Sequence, residues 1–257
     1  MTPNLKTDFP QDGMARLTLS QPARRNAINA DMWAALPRIL AELEATHPKV
    51  LIVQGDGEHF ASGADISEFG TLYQTPESSA KISADISAAM DALAAFPVPT
   101  IALIRGACVG GGLGLALSCD LRFADNTSKF AITPAKLGLV YPFSDVARLI
   151  EAVGAPNAKD ILFSARLIKA KRAEKMGLVN KVVKTDEIER AVLDYAETIA
   201  AQSSQSARTM KHMFAAYAAG QREETADMQA LFLGGFASDD FKEGYTAFME
   251  KRRPDFD

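Results

Sequence analysis

Arg105-Gly-Ala-Cys-Val-Gly-Gly-Gly-Leu-Gly-Leu-Ala-Leu-Ser-Cys-Asp120 is the stretch on which the reading of this chain turns. It follows Thr100-Ile-Ala-Leu-Ile104, an apolar run with β-branched residues that reads as a buried strand. Gly110 to Gly112 come next, and Leu113, Leu115, Ala116 and Leu117 then give an apolar helical pattern. A strand feeding a glycine turn feeding a helix aims free backbone N–H groups at one spot. The helix dipole adds partial positive charge there. Such a spot can hold a phosphate or a developing oxyanion. The same glycines would also serve a turn that only lets helix and strand pack closely. Chemistry therefore needs a second feature elsewhere in the chain.

The 257 residues suffice for one large domain or a domain with an appendage. An apolar content of 47% and a charged content of 23% are ordinary for a soluble globular protein. The net charge of −4 gives no global basic field for nucleic acid or anionic membrane, so local cations must meet any anionic ligand. Cys108 and Cys119 lack metal-ligand spacing and suit a reducing, cytoplasmic compartment. Met1-Thr-Pro-Asn-Leu-Lys6 lacks the layout of a signal peptide, and no apolar run approaches membrane-spanning length. The glycines at 106, 110, 112 and 114 do not fit a dinucleotide fingerprint. There is no Walker lysine, no nucleophile elbow and no clustered metal ligands, so neither cofactor nor metal is expected.

Along the chain, residues 14–19 alternate as a strand, with Leu17 and Leu19 on one face. Asn29 or Asp31 can cap a helix bearing Met32, Leu36, Ile39, Leu40 and Leu43, which Pro37 should kink or break. Val50–Val53 reads as a buried strand, 54–65 as a glycine-punctuated loop and 77–95 as an amphipathic helix. Leu121–Ala124 is a strand and Lys129–Ile132 is extended. Asp145 can start a helix that Gly154 ends, with a second helix over about 157–164. Ala170–Met176 is a short helix and Leu178–Val183 a strand. Asp186 with Glu189 makes a capping-box signature for the next helix. Only helical patterns follow, at 206–219, 223–233 and 238–251. The expectation is an α/β core over 1–199 and a helical region over 200–257 that either caps the core or contacts other subunits.

A second loop, Glu58-His-Phe-Ala-Ser-Gly-Ala-Asp-Ile66, follows a strand and carries small residues that allow close backbone approach. Paired with Gly110–Gly112 it offers a second N–H for one oxygen, as a thioester carbonyl needs if it is to become an enolate. At this point the chain closely resembles the crotonase (enoyl-CoA hydratase/isomerase) superfamily. The matching segments, in family order, are Arg24–Asn29, Phe60–Phe69, Pro99–Gly112, Cys119-Asp120, Lys136–Leu139, Ala173–Val179 and Asp240–Arg252. The resemblance implies a crotonase-like ββα spiral, a C-terminal helical trimerisation region, and homotrimers or dimers of trimers. It implies an acyl-CoA substrate, as in fatty acid metabolism. It assigns the oxyanion hole to the N–H groups of Ala64 and Gly111, and coenzyme A contacts to Arg24, Arg25, Ala27, Ala64, Asp65 and Ile66. Phe248 and Lys251 match residues that reach the coenzyme A of a neighbouring subunit.

The pattern breaks at the acid and base. Hydratases of this family carry glutamates at the positions of Gly114 and Pro134, and neither residue present can transfer a proton. Thr133-Pro-Ala-Lys-Leu-Gly-Leu-Val-Tyr141 is similar to the matching segment of methylmalonyl-CoA-type decarboxylases, although those have His where this chain has Ala64. Tyr141 and Asp145 are the candidates for moving protons. Glu68 is a further carboxylate, read as solvated or functional, and His59 reads as a surface loop residue. Three readings stay open: a hydratase/isomerase-type enzyme, a malonyl-type acyl-CoA decarboxylase, and an acyl-CoA-binding protein without turnover.

Overall fold

Apolar residues on both faces of its central strands put the main sheet between two cores. In the computed structural model this sheet runs β1 (Leu5–Asp8), β2 (Met14–Leu19), β3 (Val50–Gly55), β4 (Thr100–Ile104), β6 (Leu121–Asp125) and β9 (Lys181–Val183). β1 pairs antiparallel to β2, and every later pair is parallel. A smaller sheet joins β5 (Ala107–Val109), β7 (Lys129–Ala131) and β8 (Ile168–Lys169). The structure describes residues 4–256, so Met1 to Pro3, part of the stretch tested for a leader, lie outside it.

One side of the main sheet buries Leu17, Leu51, Val53, Ala102 and Ile104. Against it lie α1 (Ala30–Glu44), α3 (Pro76–Ala94) and α4 (Gly111–Leu117). The other side buries Val50, Ile52, Ile101 and Leu103 under Ile188, Val192 and Ala196 of α7 (Ile188–Ala200). Burial on both faces is what parallel strands require. Each fully buried Leu or Ile contributes about 1.5–3 kcal/mol. The remaining helices are α2 (Phe69–Leu72), α5 (Phe143–Ser164), α6 (Ala170–Lys175), α8 (Ser204–Ala218), α9 (Ala226–Gly235) and α10 (Asp239–Glu250). None is long and apolar enough to cross a membrane.

Several local expectations are corrected. α1 runs past Pro37 without a break, its Asn29 cap accepting from Met32 N at 2.9 Å. Its buried stripe lies on both sides of the proline, and that packing offsets a penalty of about 3 kcal/mol. Asp145 does not cap α5, which starts two residues earlier after Pro142. Gly154 does interrupt α5, with φ +73°. The capping box at Asp186 and Glu189 does not form, because Glu189 is drawn away by Arg16 and Arg105. The strand expected over 178–183 shrinks to Lys181–Val183.

Candidate active site

The loop that leads from β3 to α2 starts with a tight fold-back at Gly55. A Cβ there would lie 2.1 Å from the His59 carbonyl and 2.3 Å from that of Phe60. Asn26, fully buried, staples the loop. It donates to the carbonyls of Asp56 (2.9 Å) and His59 (2.6 Å), and its side-chain oxygen accepts from Gln21 N (2.9 Å). Arg25 and Asn26 both hold φ +52°, a left-handed turn that asparagine tolerates better than most residues. His59 is no free surface residue: its Nδ1 accepts from Ala107 N at 3.2 Å.

Downstream, Ile28 N donates to Gly63 O at 2.8 Å and Asp65 N to Ile28 O at 3.0 Å. These two bonds bracket Ala64 and leave its own N–H without an acceptor among the described residues. Gly110 turns at φ +54° and donates to Ala131 O, so α4 opens with the Gly111 N–H equally unpaired. A Cβ on Gly111 would stand 3.7 Å from Ala64 N, and one on Gly63 3.5 Å from Gly111 N. The two free N–H groups are therefore neighbours. Gly112 makes this approach possible, since a Cβ there would lie 2.6 Å from Ala61 O.

The segment after Ala64 is locked by its own carboxylates. Asp65, 7% exposed, accepts from Ser67 N and Oγ and pairs with Arg24. The Ser67 hydrogen bonds and Arg24 hold the Asp65 carboxyl below the usual range, against its burial. Glu68 Oε2 accepts from Ala30 N at 2.9 Å and so caps the start of α1. It is a structural tie and not a solvated residue. Ile66 stands out at 64% exposed, while Ala27 is buried. Arg25 points into a polar crevice of about 570 Å³ with His59, Arg105 and Lys129. Phe248, 80% exposed, lines a separate crevice with Phe232, Phe236 and Phe241, and Lys251 caps α10. Within one chain neither of those two joins Ala64 and Gly111.

Where a side chain on Gly114 would begin, Met90 Cε lies at 2.7 Å and the Tyr141 hydroxyl at 3.0 Å. Tyr141 Oη is buried without a partner, and burial, then the Asp145 carboxylate, push the phenol well above its usual range. Asp145, 3% exposed, accepts from Arg148 Nη1 at 3.0 Å. Burial raises its carboxyl, and Arg148, which also pairs with Asp91, works against that shift. Pro134 opens a short 3-10 turn and brings no ionisable group. A cavity of about 10 Å³ lies beside Ala64, lined by Ile28, Trp33, Phe69, Leu72 and Tyr73 among others. A crevice of about 700 Å³ around Phe9, His47 and Lys49 includes none of these groups. Burial pushes the Cys119 thiol up to about 12 and leaves both cysteines inert.

Comparison with known proteins fits this geometry. The family model for enoyl-CoA hydratase/isomerase matches residues 10–257. The chain belongs to the enoyl-CoA hydratase/isomerase family. This family member is 35% identical over 251 residues to "Probable enoyl-CoA hydratase echA8" of Mycobacterium leprae, covering 95% of this chain and 96% of that one. It is 29% identical to the peroxisomal Delta(3,5)-Delta(2,4)-dienoyl-CoA isomerase of Arabidopsis thaliana, over 93% of this chain and 91% of that one. The crystal structure of an enoyl-CoA hydratase/isomerase family protein from Hyphomonas neptunium superposes with a TM-score of 0.96 at 44% identity. That match covers 100% of this chain and 98% of the other. The family member thus has the crotonase fold. Sequence reasoning did not single out Asn26, Trp33 or Met90. Asn26 lies inside a matching segment, but its three staples join positions up to 33 residues apart.

Proposed function

We propose that this protein acts on acyl-CoA thioesters through an enolate whose oxygen accepts from the Ala64 and Gly111 N–H groups. The pair of unpaired, adjacent donors carries this reading. Donors fixed before the reaction stabilise developing charge, and removal of one such donor from an enzyme costs about 10²–10³ in kcat. Arg24 and Arg25 are the nearby cations available to coenzyme A phosphates, and Arg24 also holds Asp65 in place. The active unit is a homotrimer or a dimer of trimers, supported by the exposed aromatic face of α9 and α10.

Hydration is the least supported member of the family's chemistry. It needs a carboxylate to activate water, and positions 114 and 134 have none. Met90 and Tyr141 occupy the space beside Gly114.

A second reading is favoured by Tyr141. Its hydroxyl, buried without a partner beside Gly114, carries a proton that it can give. Loss of CO₂ from a malonyl-type thioester makes an enolate without a base. The carbon–carbon bonding pair becomes the enolate, CO₂ leaves, and Tyr141 gives its proton to the α-carbon before recovering one from water. The experiment is a thioester panel: α-proton exchange of butyryl-CoA in deuterated water, hydration of crotonyl-CoA, and CO₂ release from methylmalonyl-CoA. Exchange of any extent, or CO₂ release that falls with Tyr141→Phe, supports enolate chemistry. Binding with silence across the panel leaves a binding protein, and crotonyl-CoA hydration alone overturns the assignment to Tyr141.

A further inference from the structure

Three buried side-chain polar atoms among the described residues have no hydrogen-bond partner: Trp33 Nε1, Gln54 Oε1 and Tyr141 Oη. Two of them flank one turn of α4. The Cζ2 atom of Trp33 lies 3.2 Å from where a side chain on Gly111 would begin, and the Tyr141 hydroxyl 3.0 Å from the same point on Gly114. Tyr141 has a role in the reading above. Trp33 has none.

An indole N–H can only donate. Buried without an acceptor it costs about 1–3 kcal/mol. In folded proteins such a group usually finds its partner in an ordered water or a ligand. Trp33 is 1% exposed and held in α1 between buried Met32 and Leu36, so it cannot turn its N–H to solvent. In the ring, Nε1 and Cζ2 are both bonded to Cε2. The ring edge that meets Gly111 is Cζ2–Cη2, and the N–H lies one atom beyond it, past Cε2. Trp33 also lines the cavity next to Ala64, whose 10 Å³ is room for about one water. The two carboxylates in that lining are engaged elsewhere: Glu68 Oε2 accepts from Ala30 N, and Asp65 accepts from Ser67 and pairs with Arg24.

We propose that Trp33 determines specificity by donating its Nε1–H to an acceptor oxygen on the third or fourth acyl carbon of a short acyl thioester. The proposal rests on the reading that Ala64 and Gly111 hold the thioester carbonyl. A hydrocarbon acyl group leaves the N–H unpaired, while an oxygenated one completes it. A site built to hydrogen-bond a substrate oxygen discriminates strongly against the analogue that lacks it.

The test is calorimetric titration of the full chain with shape-matched pairs. These are 3-hydroxybutanoyl-CoA against 3-methylbutanoyl-CoA, and 4-hydroxybutanoyl-CoA against pentanoyl-CoA. At least one hydroxylated thioester is expected to bind about tenfold tighter than its partner, and Trp33→Phe to bring that ratio to about one. Wild-type protein that binds the hydrocarbon thioesters as tightly overturns the proposal without any variant. A preference that survives Trp33→Phe also overturns it. If none of the four binds, the reading of Ala64 and Gly111 falls and takes this proposal with it.

Discussion

The hydroxyl of Tyr141 stands 3.0 Å from the point where a side chain on Gly114 would begin. The absence of a side chain at 114 and the presence of the phenol are thus one feature. Tyr141 from the loop before α5 and Met90 from α3 fill the space that the helix leaves open.

The glycines of α4 separate packing from chemistry. In Gly114→Ala the new methyl meets the flexible end of Met90 at 2.7 Å and the Tyr141 hydroxyl at 3.0 Å. The helix gains about 0.5–1 kcal/mol from the substitution, so stability should change little. Turnover that depends on Tyr141 should fall. In Gly112→Ala the methyl meets the Ala61 carbonyl at 2.6 Å, and backbone cannot give way as a side chain can. A loss of about 1–3 kcal/mol is expected. Urea unfolding of the two variants side by side checks this, and equal losses would contradict it.

Gly111→Pro deletes one N–H at the first helical position, where proline is tolerated. Gly111→Ala brings the same Cβ toward Trp33 but keeps the donor. The proline variant should turn over about 10²–10³ slower than the alanine variant on the best substrate of the thioester panel. Equal rates would remove Gly111 from the reaction.

Asp145 sets a pH dependence of stability with a defined sign. Its carboxyl is raised in the folded chain, mainly by burial, so the native state holds its proton at a higher pH than the unfolded chain does. Its contribution is full below the unfolded value and is lost as pH rises through the raised folded value. The stability of Asp145→Asn relative to wild type should therefore increase across that window. Urea melts at a series of pH values, from acid to neutral, measure the difference. A difference that shrinks with rising pH would show that Arg148 outweighs burial.

Phe236 is 56% exposed and stacks edge-on against Phe232 and Phe241. A ring so placed is suited to a subunit contact. Phe236→Glu should lower the assembled mass measured by light scattering while the helical signal in circular dichroism persists. A wild-type chain that scatters as a monomer would count against the trimer.

Much of the fold was legible because it is written in local patterns. The apolar runs of β2, β3, β4 and β6 and the stripe of α1 all stand where periodicity places them. β1, β5 and β8 were not read, because runs of two to four residues become strands only when a partner is present. The false capping box at Asp186 has the same origin. Glu189 answers to Arg16, 173 residues away, and local spacing cannot register that. In the site, the two glycine-rich loops were legible as a pair. The occupants of the space at Gly114 were not, since α3, α4 and the loop at Tyr141 must meet before any of them has a neighbour.

Asn26 gives every polar atom of its amide to the backbone of the chain itself, and Ala64 and Gly111 point with backbone alone. The half of the pocket that would grip a carbonyl thus contains no side chain that a change of reaction would have to replace. Met90, Gly114 and Tyr141 form a separate, exchangeable cassette. A library confined to those three positions would sample new reactions on an unchanged grip, the sort of modularity that a directed-evolution campaign could exploit.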